Sequence, residues 1–103
     1  MIFPVLLCND ARVKRPKSIC DDSDAMRDEL CGLIQELCQK HSIAASVSCC
    51  SSGEELLFDP DDKNRTTDIF FLDILMKKLN GIETAAKLRA INPTAQIIFL
   101  TVS

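Results

Sequence analysis

Apolar segments with the period of a strand alternate along the chain with apolar residues at helical spacing. The strand-like segments cover residues 17–20, 43–50, 69–72 and 97–100, and the last two are apolar throughout. Continuous apolar runs are typical of parallel strands that are buried on both faces. Strands that alternate with helices predict right-handed crossovers and a single parallel sheet.

Helices are predicted between these strands. The first begins after Ser23 as N-cap and runs to about His41. Its apolar stripe, which we expect to lie in the core, consists of Met26, Leu30, Leu33 and Leu37. The second begins at Ser52, where the spacing of a capping box precedes an apolar triplet. The third begins at Asn80 and ends before Pro93, because proline cannot continue a helix.

Polar side chains follow three of the predicted strands. Asp21 and Asp22 follow the first strand, and Asp73 follows the third. Thr101 follows the fourth. The carboxyl ends of parallel strands lie side by side, and ligands bind at that edge of an open sheet. The convergence of carboxylates and a hydroxyl predicts a site for a hard cation and a phosphoryl group. Clustered carboxylates repel one another, so at least one should have a raised pKa.

The composition limits the function classes that are open to the chain. Its 103 residues, 47% hydrophobic and 26% charged, favour one soluble globular domain. The formal net charge of −3 does not indicate a nucleic-acid or membrane surface. No apolar run approaches the roughly 20 residues that span a bilayer. The apolar start contains Pro4 and lacks a basic leader, so we expect a cytoplasmic location rather than secretion.

The six cysteines are many for this length, but their spacing does not predict a metal site. They form no Cys-x-x-Cys pair, and the single histidine, His41, follows Cys38 without further partners. We interpret the cysteines as small buried hydrophobic residues in a reducing cytosol.

The order of the motifs resembles that of the response-regulator receiver domain, and within it the receivers of LytTR-type regulators. The motifs are Ile19-Cys20-Asp21-Asp22, Phe71-Leu72-Asp73-Ile74, Asn80-Gly81-Ile82-Glu83-Thr84-Ala85, and Leu88-Arg89-Ala90-Ile91-Asn92-Pro93 before Ile97-Ile98-Phe99-Leu100-Thr101. Each motif is weak alone, whereas their order and spacing together are specific. The resemblance covers residues 17–103 and leaves residues 1–16 as an extra apolar and basic N-terminal arm.

The resemblance implies a flavodoxin-like, three-layer, doubly wound α/β domain that serves in a two-component phosphorelay. Asp73 matches the residue that accepts a phosphoryl group from a sensor histidine kinase. Asp21 and Asp22 match the acidic pair that holds Mg²⁺ together with Asp73, and the backbone carbonyl of Leu75 matches the third protein ligand. Thr101 matches the hydroxyl that contacts the phosphoryl group. Such a domain is a phosphoacceptor in transcription regulation, not an enzyme.

The sequence departs from the family pattern at its end and in one loop. It stops at Ser103, so we expect a sheet truncated after the fourth strand, without the fifth strand, its lysine and the last helices. In the loop after Asp73, Lys77 stands where the family usually has proline. Lys77 or Lys78 is therefore a candidate to contact the phosphoryl group in place of the absent lysine.

Two other functions stay open on the sequence. The truncated domain can keep the fold without phosphoryl transfer and act as a dimerisation or interaction module. The bare edge of the fourth strand, paired with residues 2–7 or with a second copy, predicts a homodimer or oligomer. A Mg²⁺-dependent aspartate phosphatase is the weaker alternative, because Leu75 stands where that class has its general acid.

Overall fold

A parallel sheet forms the centre of the computed structural model, which describes residues 15–100. Its strands are β1 (Arg15–Cys20), β2 (Ala45–Cys50), β3 (Ile69–Asp73) and β4 (Gln96–Leu100). Their spatial order is β2-β1-β3-β4. The chain leaves β1 toward β2 on one side and returns to form β3 on the other side. This reversal makes a topological switch point between β1 and β3, where open α/β sheets bind ligands.

The connections between the strands are helical, as predicted. They contain α1 (Asp24–Lys40), α2 (Gly53–Leu57), a 3₁₀ helix (Lys63–Thr66) and α3 (Gly81–Ile91). The three predicted N-caps are confirmed, because the side chains of Ser23, Ser52 and Asn80 each accept a hydrogen bond from a backbone N–H of the first turn. Asn80 and Glu83 form a complete capping box at α3.

The sheet separates two apolar clusters, as the three-layer prediction requires. On the α1 face, Ile19, Ile69 and Phe71 pack with Ile34 and Cys38 of α1. The opposite face is covered by α2 and α3, and its buried cluster contains Cys20, Leu56, Phe70, Leu72, Met76, Ala85, Leu88 and Ala95. Every residue of β3 is buried, which confirms the prediction of a strand with two covered faces.

The predicted core stripe of α1 is wrong in part. Met26 is 44% exposed and Leu33 is 53% exposed, whereas the buried residues of the helix are Ile34 and Cys38. Helical spacing identifies an apolar face, but the angle at which α1 packs on the sheet decides which part of that face is covered. Met26 and Leu33 instead line a groove between α1 and β4.

The prediction that residues 97–100 are buried on both faces is also wrong. The residues of β4 are half-buried, and Phe99 is 40% exposed. The reason is position, since β4 pairs only with β3 and lies at the edge of the described sheet. The prediction that the cysteines are buried is also wrong in part, because Cys20 and Cys38 are buried whereas Cys49 is exposed on β2.

The first strand is longer than predicted and begins at Arg15, because Arg15 and Pro16 pair with Ala45 and Ser46 of β2. Residues 1–14 and 101–103 lie outside the described part, and these ranges include Thr101 and most of the predicted arm. Among the described residues, no helix has the length and apolar character needed to cross a membrane.

Candidate functional site

The carboxylates of Asp21, Asp22 and Asp73 meet at the carboxyl edge of the sheet, beside the switch point between β1 and β3. One oxygen atom from each residue lies within 4.8 Å of the others. Asp21 and Asp73 are buried, whereas Asp22 is exposed. The strand register explains the convergence, since Cys20 of β1 pairs with Leu72 of β3 and an aspartate follows each of these two residues. The predicted meeting of these carboxylates is therefore confirmed.

Backbone hydrogen bonds hold the first strand end in place. The N–H of Asp21 donates to the carbonyl of Cys50 (3.1 Å), which continues the ladder with β2. The Asp21 Oδ1 atom accepts from the N–H of Ser23 (2.9 Å), and the Arg27 Nη1 atom donates to the Asp21 carbonyl (2.8 Å). Arg27 also forms an ion pair with Asp24. The Arg27 guanidinium is thus engaged by the Asp24 carboxylate and by the backbone of Asp21.

Burial and neighbouring charges change the pKa of Asp73. Its pKa is raised by burial, lowered by the hydrogen bond from the N–H of Leu75 (3.1 Å), and raised by the charges of Asp21 and Asp22. The expected rise in pKa within the cluster is therefore confirmed at Asp73. A bound cation relieves repulsion of this kind. The atoms of the cluster that can coordinate a metal are carboxylate oxygens, which Mg²⁺ prefers.

Gly81 places the first turn of α3 directly against the backbone of Asp73. A Cβ atom at this position would overlap the Asp73 carbonyl oxygen and would lie 2.9 Å from the carbonyl carbon. The Gly81 N–H donates to the Ile74 carbonyl (3.1 Å). Glycine allows this close approach of two backbones, so it sets the position of the Asp73 loop.

A family comparison identifies this arrangement. A family model described as the response regulator receiver domain matches residues 18–103. The chain belongs to the response regulator receiver domain family. Receiver domains of two-component systems generally accept a phosphoryl group, interact with histidine kinases and are not classical enzymes.

Solved receiver domains share the fold of this one. The BeF3-activated DrrB receiver domain has a TM-score of 0.72 at 19% identity, over 88% of this chain and 68% of its own. Chemotaxis protein CheY4 of Vibrio cholerae has a TM-score of 0.71 at 19% identity, over 88% and 71% of the chains. The Mg²⁺-complexed receiver domain of histidine kinase CKI1 from Arabidopsis thaliana has a TM-score of 0.67 at 20% identity, over 84% of this chain and 67% of its own. A search of curated proteins found no match.

The other predicted site residues of the receiver domain have different outcomes. Leu75 lies in the loop after Asp73, with its side chain 75% exposed and its N–H bonded to the Asp73 carboxylate. Thr101 lies outside the described residues, so its contact with a phosphoryl group stays a prediction. Lys77 and Lys78 line a cleft beside Asp22 together with residues of the β2–α2 connection.

Two features of the receiver site were not found from the sequence. Gly81 was noted as part of a motif, but its contact with Asp73 depends on how α3 packs against the sheet. Ser52 is predicted only as a helix cap and Ser51 has no predicted role, yet both line the cleft with Lys77 and Lys78. Sequence spacing contains no signal for either contact. Gly81 meets Asp73 only through the fold of the loop between them, and the serines and lysines of the cleft lie in segments that are distant along the chain.

Proposed function

We propose that the chain is a phosphoacceptor of a two-component phosphorelay, with Asp73 as the residue that accepts the phosphoryl group. The observation that carries this proposal is the convergence of three carboxylates within 4.8 Å at the carboxyl edge of a receiver fold. Asp73 is at the centre of the edge, on the strand that is buried on both faces. Its carboxylate is the nucleophile in this proposal, and the bond between the phosphorus atom and the donor breaks as the acyl phosphate forms.

We propose that Asp21, Asp22, Asp73 and the backbone carbonyl of Leu75 hold Mg²⁺. The carboxylates fit this ion because they offer several oxygen atoms in a small volume and carry like charges that repel. Bound Mg²⁺ offsets the negative charge of the carboxylates and of the phosphoryl group. A hydrogen bond from the N–H of Leu75 holds one oxygen atom of Asp73, so the carboxylate is oriented before the phosphodonor binds. Thr101 is the proposed contact to the phosphoryl oxygens.

The test is a backbone NMR titration with Mg²⁺ followed by beryllofluoride, because the chain has no Trp or Tyr for fluorescence. We expect shifts at Asp21, Asp22 and Asp73 with Mg²⁺, and further shifts that reach Thr101 with beryllofluoride. Asp73→Asn should abolish the beryllofluoride response, whereas the matched variant Asp61→Asn, at an exposed loop position, should retain it. A folded wild-type protein that responds to neither reagent would refute the phosphoacceptor proposal.

The phosphodonor that we propose is a sensor histidine kinase in the cytoplasm. The five cysteines of the described part are all free thiols, which agrees with a reducing compartment. The LytTR-like motifs are the basis for proposing a role in transcription regulation. If beryllofluoride-treated protein leaves the binding of LytTR-type proteins to DNA unchanged, this part of the proposal is wrong.

We further propose that the receiver self-associates through β4, which is a second function that one observation favours. Within residues 15–100, β4 pairs on one side only, with β3. A groove of about 310 Å³ lies beside it, and the exposed apolar residues of this groove are Met26, Leu33 and Phe99. Open apolar strand edges pair readily with other chains. The proposed partner is a second copy of the chain, joined along β4 about a two-fold axis.

Light scattering at increasing protein concentration tests this association. We expect a dimer for the wild type and a monomer for Phe99→Lys, because a charge on the edge opposes strand pairing. Phe58→Lys is the matched control, since Phe58 is 78% exposed and lies after α2 rather than on β4. If Leu6→Lys dissociates the dimer and Phe99→Lys does not, the predicted N-terminal arm carries the contact instead.

A further inference from the structure

A polar cleft opens beside Asp22, between the β2–α2 connection and the loop that follows Asp73. Its volume is about 270 Å³, and the lining residues are Asp22, Ser51, Ser52, Glu54, Met76, Lys77 and Lys78. An oxygen atom of Asp22 lies within 4.8 Å of one of Asp73. The cleft therefore leads from solvent to the acidic cluster and is large enough for a small anion.

Packing contacts fix both walls of this cleft. Gly53, at the start of α2, is buried so closely against Thr84 and Leu79 that a Cβ atom would overlap the Thr84 hydroxyl. A carboxylate oxygen of Glu54 accepts from the N–H of Leu79 (3.4 Å), which joins α2 to the opposite loop. Lys78 has a positive φ of 58°, a conformation that gives this loop a defined turn.

The charges in the cleft are unevenly engaged. Of its two carboxylates, Asp22 belongs to the acidic cluster and Glu54 accepts the bond from Leu79. Lys77 and Lys78 are exposed, and within residues 15–100 neither ammonium group has an ion pair or hydrogen-bond partner. These ammonium groups are the positive charges of the lining, next to a cluster of carboxylates that repels any phosphate-containing donor.

We propose that Lys77 and Lys78 bind a small acyl phosphate dianion in this cleft and position its phosphorus atom for Asp73, an inference that rests on the proposed function. Opposite charge attracts the donor at the point where the carboxylates would otherwise repel it. In the transfer, a bond forms between an Asp73 carboxylate oxygen and phosphorus, and the bond from phosphorus to the acyl oxygen breaks. The acyl group leaves as a carboxylate with the electron pair of that bond. The lysines are positioning residues and exchange no proton.

The experiment measures the rate of phosphorylation by acetyl phosphate, with Mg²⁺, as a function of donor concentration. Compared with the wild type, Lys77→Ala/Lys78→Ala should raise the half-saturating donor concentration about three- to tenfold, the scale of two exposed charge interactions, with little change in the maximal rate. Lys77→Arg/Lys78→Arg should stay near the wild type because it retains the charge. Lys40→Ala/Lys87→Ala removes the same net charge from exposed helix positions and should have little effect. At about 1 M salt, the difference between variants should disappear.

The outcomes distinguish this inference from the proposed function. If the wild type is phosphorylated and Lys77→Ala/Lys78→Ala has the same half-saturating concentration, the lysines do not bind the donor. If the wild type responds to beryllofluoride but is not phosphorylated by acetyl phosphate, the lysines do not position this donor. If it responds to neither reagent, the phosphoacceptor proposal fails, and NMR with inorganic phosphate decides on the cleft. Shifts at residues 51–54 and 76–78 that the lysine variant lacks would support anion binding, and their absence in the wild type would overturn it.

Discussion

Gly81 shows at the scale of one residue how the fold determines the position of the candidate phosphoacceptor. Its backbone lies against the carbonyl group of Asp73, where no side chain fits. Gly32 of α1, by contrast, has nothing within 4 Å of the position of a Cβ atom. Replacing these glycines by alanine should therefore change the stability in opposite directions. Neither glycine has a positive φ, so the difference comes from the space around the added Cβ atom.

Gly81→Ala is expected to lower the free energy of unfolding by about 2–4 kcal/mol, since the added Cβ atom displaces the Asp73 backbone. We also expect a loss of the beryllofluoride response. Gly32→Ala is the matched control, and it should raise the free energy of unfolding by up to about 1 kcal/mol because alanine favours an exposed helix. Urea unfolding measures both, and equal stabilisation by the two substitutions would contradict the contact at Gly81.

Asp73→Asn should stabilise the protein at neutral pH in the absence of divalent cations. Burial, with the charges of Asp21 and Asp22, raises the pKa of Asp73 above its ordinary value of 3.8. The folded state therefore binds the proton of the Asp73 carboxyl group more tightly than the unfolded state does. The stability that the residue contributes is complete below pH 3.8 and is lost as the pH rises through the folded-state pKa.

Unfolding by urea at neutral pH and below pH 3.8 measures this effect. Asparagine has no charge to repel its neighbours, so the advantage of Asp73→Asn should be present at neutral pH and shrink in acid. Asp61→Asn, at an exposed position, serves as the control. An advantage that is the same at both pH values would show that the charge of Asp73 is not responsible.

At the scale of the element, the end of α1 has a hydrogen-bond pattern that usually requires glycine. The N–H of Ser42 donates to the Gln39 carbonyl (3.1 Å), and the N–H of Ile43 donates to the Cys38 carbonyl (2.8 Å). These two bonds define a Schellman motif, in which the residue after the C-cap has a left-handed conformation. Ser42 has that conformation, with φ of 55°.

Ser42→Gly is expected to raise the free energy of unfolding by about 0.5–1 kcal/mol, because glycine adopts a positive φ without steric cost. Ser46→Gly, at an exposed position of β2, should lower it because glycine weakens a strand. Thermal unfolding of both variants makes the comparison. A loss of stability for Ser42→Gly would mean that the serine side chain contributes more than the strain costs.

At the scale of the whole molecule, Asn92 joins segments that are far apart along the chain. Its buried side-chain amide donates to the carbonyls of Asn64 and Thr67, each at 2.8 Å. Its Oδ1 atom accepts from the N–H of Thr94 and of Ala95. One side chain thereby holds the 3₁₀ helix, the end of α3 and the start of β4 together.

Asn92→Ala should lower the free energy of unfolding by about 2–4 kcal/mol, since it leaves several buried backbone groups without a partner. Asn80→Ala is the comparison, and its loss should be about 1 kcal/mol because it removes one exposed helix cap. Urea unfolding gives both values. Similar losses for the two variants would contradict the role of Asn92 as a link between segments.

The local patterns of the sequence predicted the strands, the α-helices and their order correctly, but not the 3₁₀ helix at Lys63–Thr66. Helix N-caps depend on residues three positions apart, and β3 is apolar throughout, so both are visible in a short segment. The exposure of Met26, Leu33 and Phe99 was not predictable in the same way. Whether an apolar residue is covered depends on the packing angle of α1 and on the edge position of β4, which are properties of the assembled sheet.

The sequence by itself determined the alternation of strands and helices and the three aspartates at strand ends, because period and capping are local properties. Tertiary structure decided what these aspartates became. The parallel register brought their oxygen atoms within 4.8 Å, and burial raised the pKa of Asp73. Only the packing of α3 placed the Gly81 backbone against Asp73, and only the packing of α2 brought Ser52 and Lys77 to the lining of one cleft, because both arrangements depend on how whole helices pack and not on local spacing.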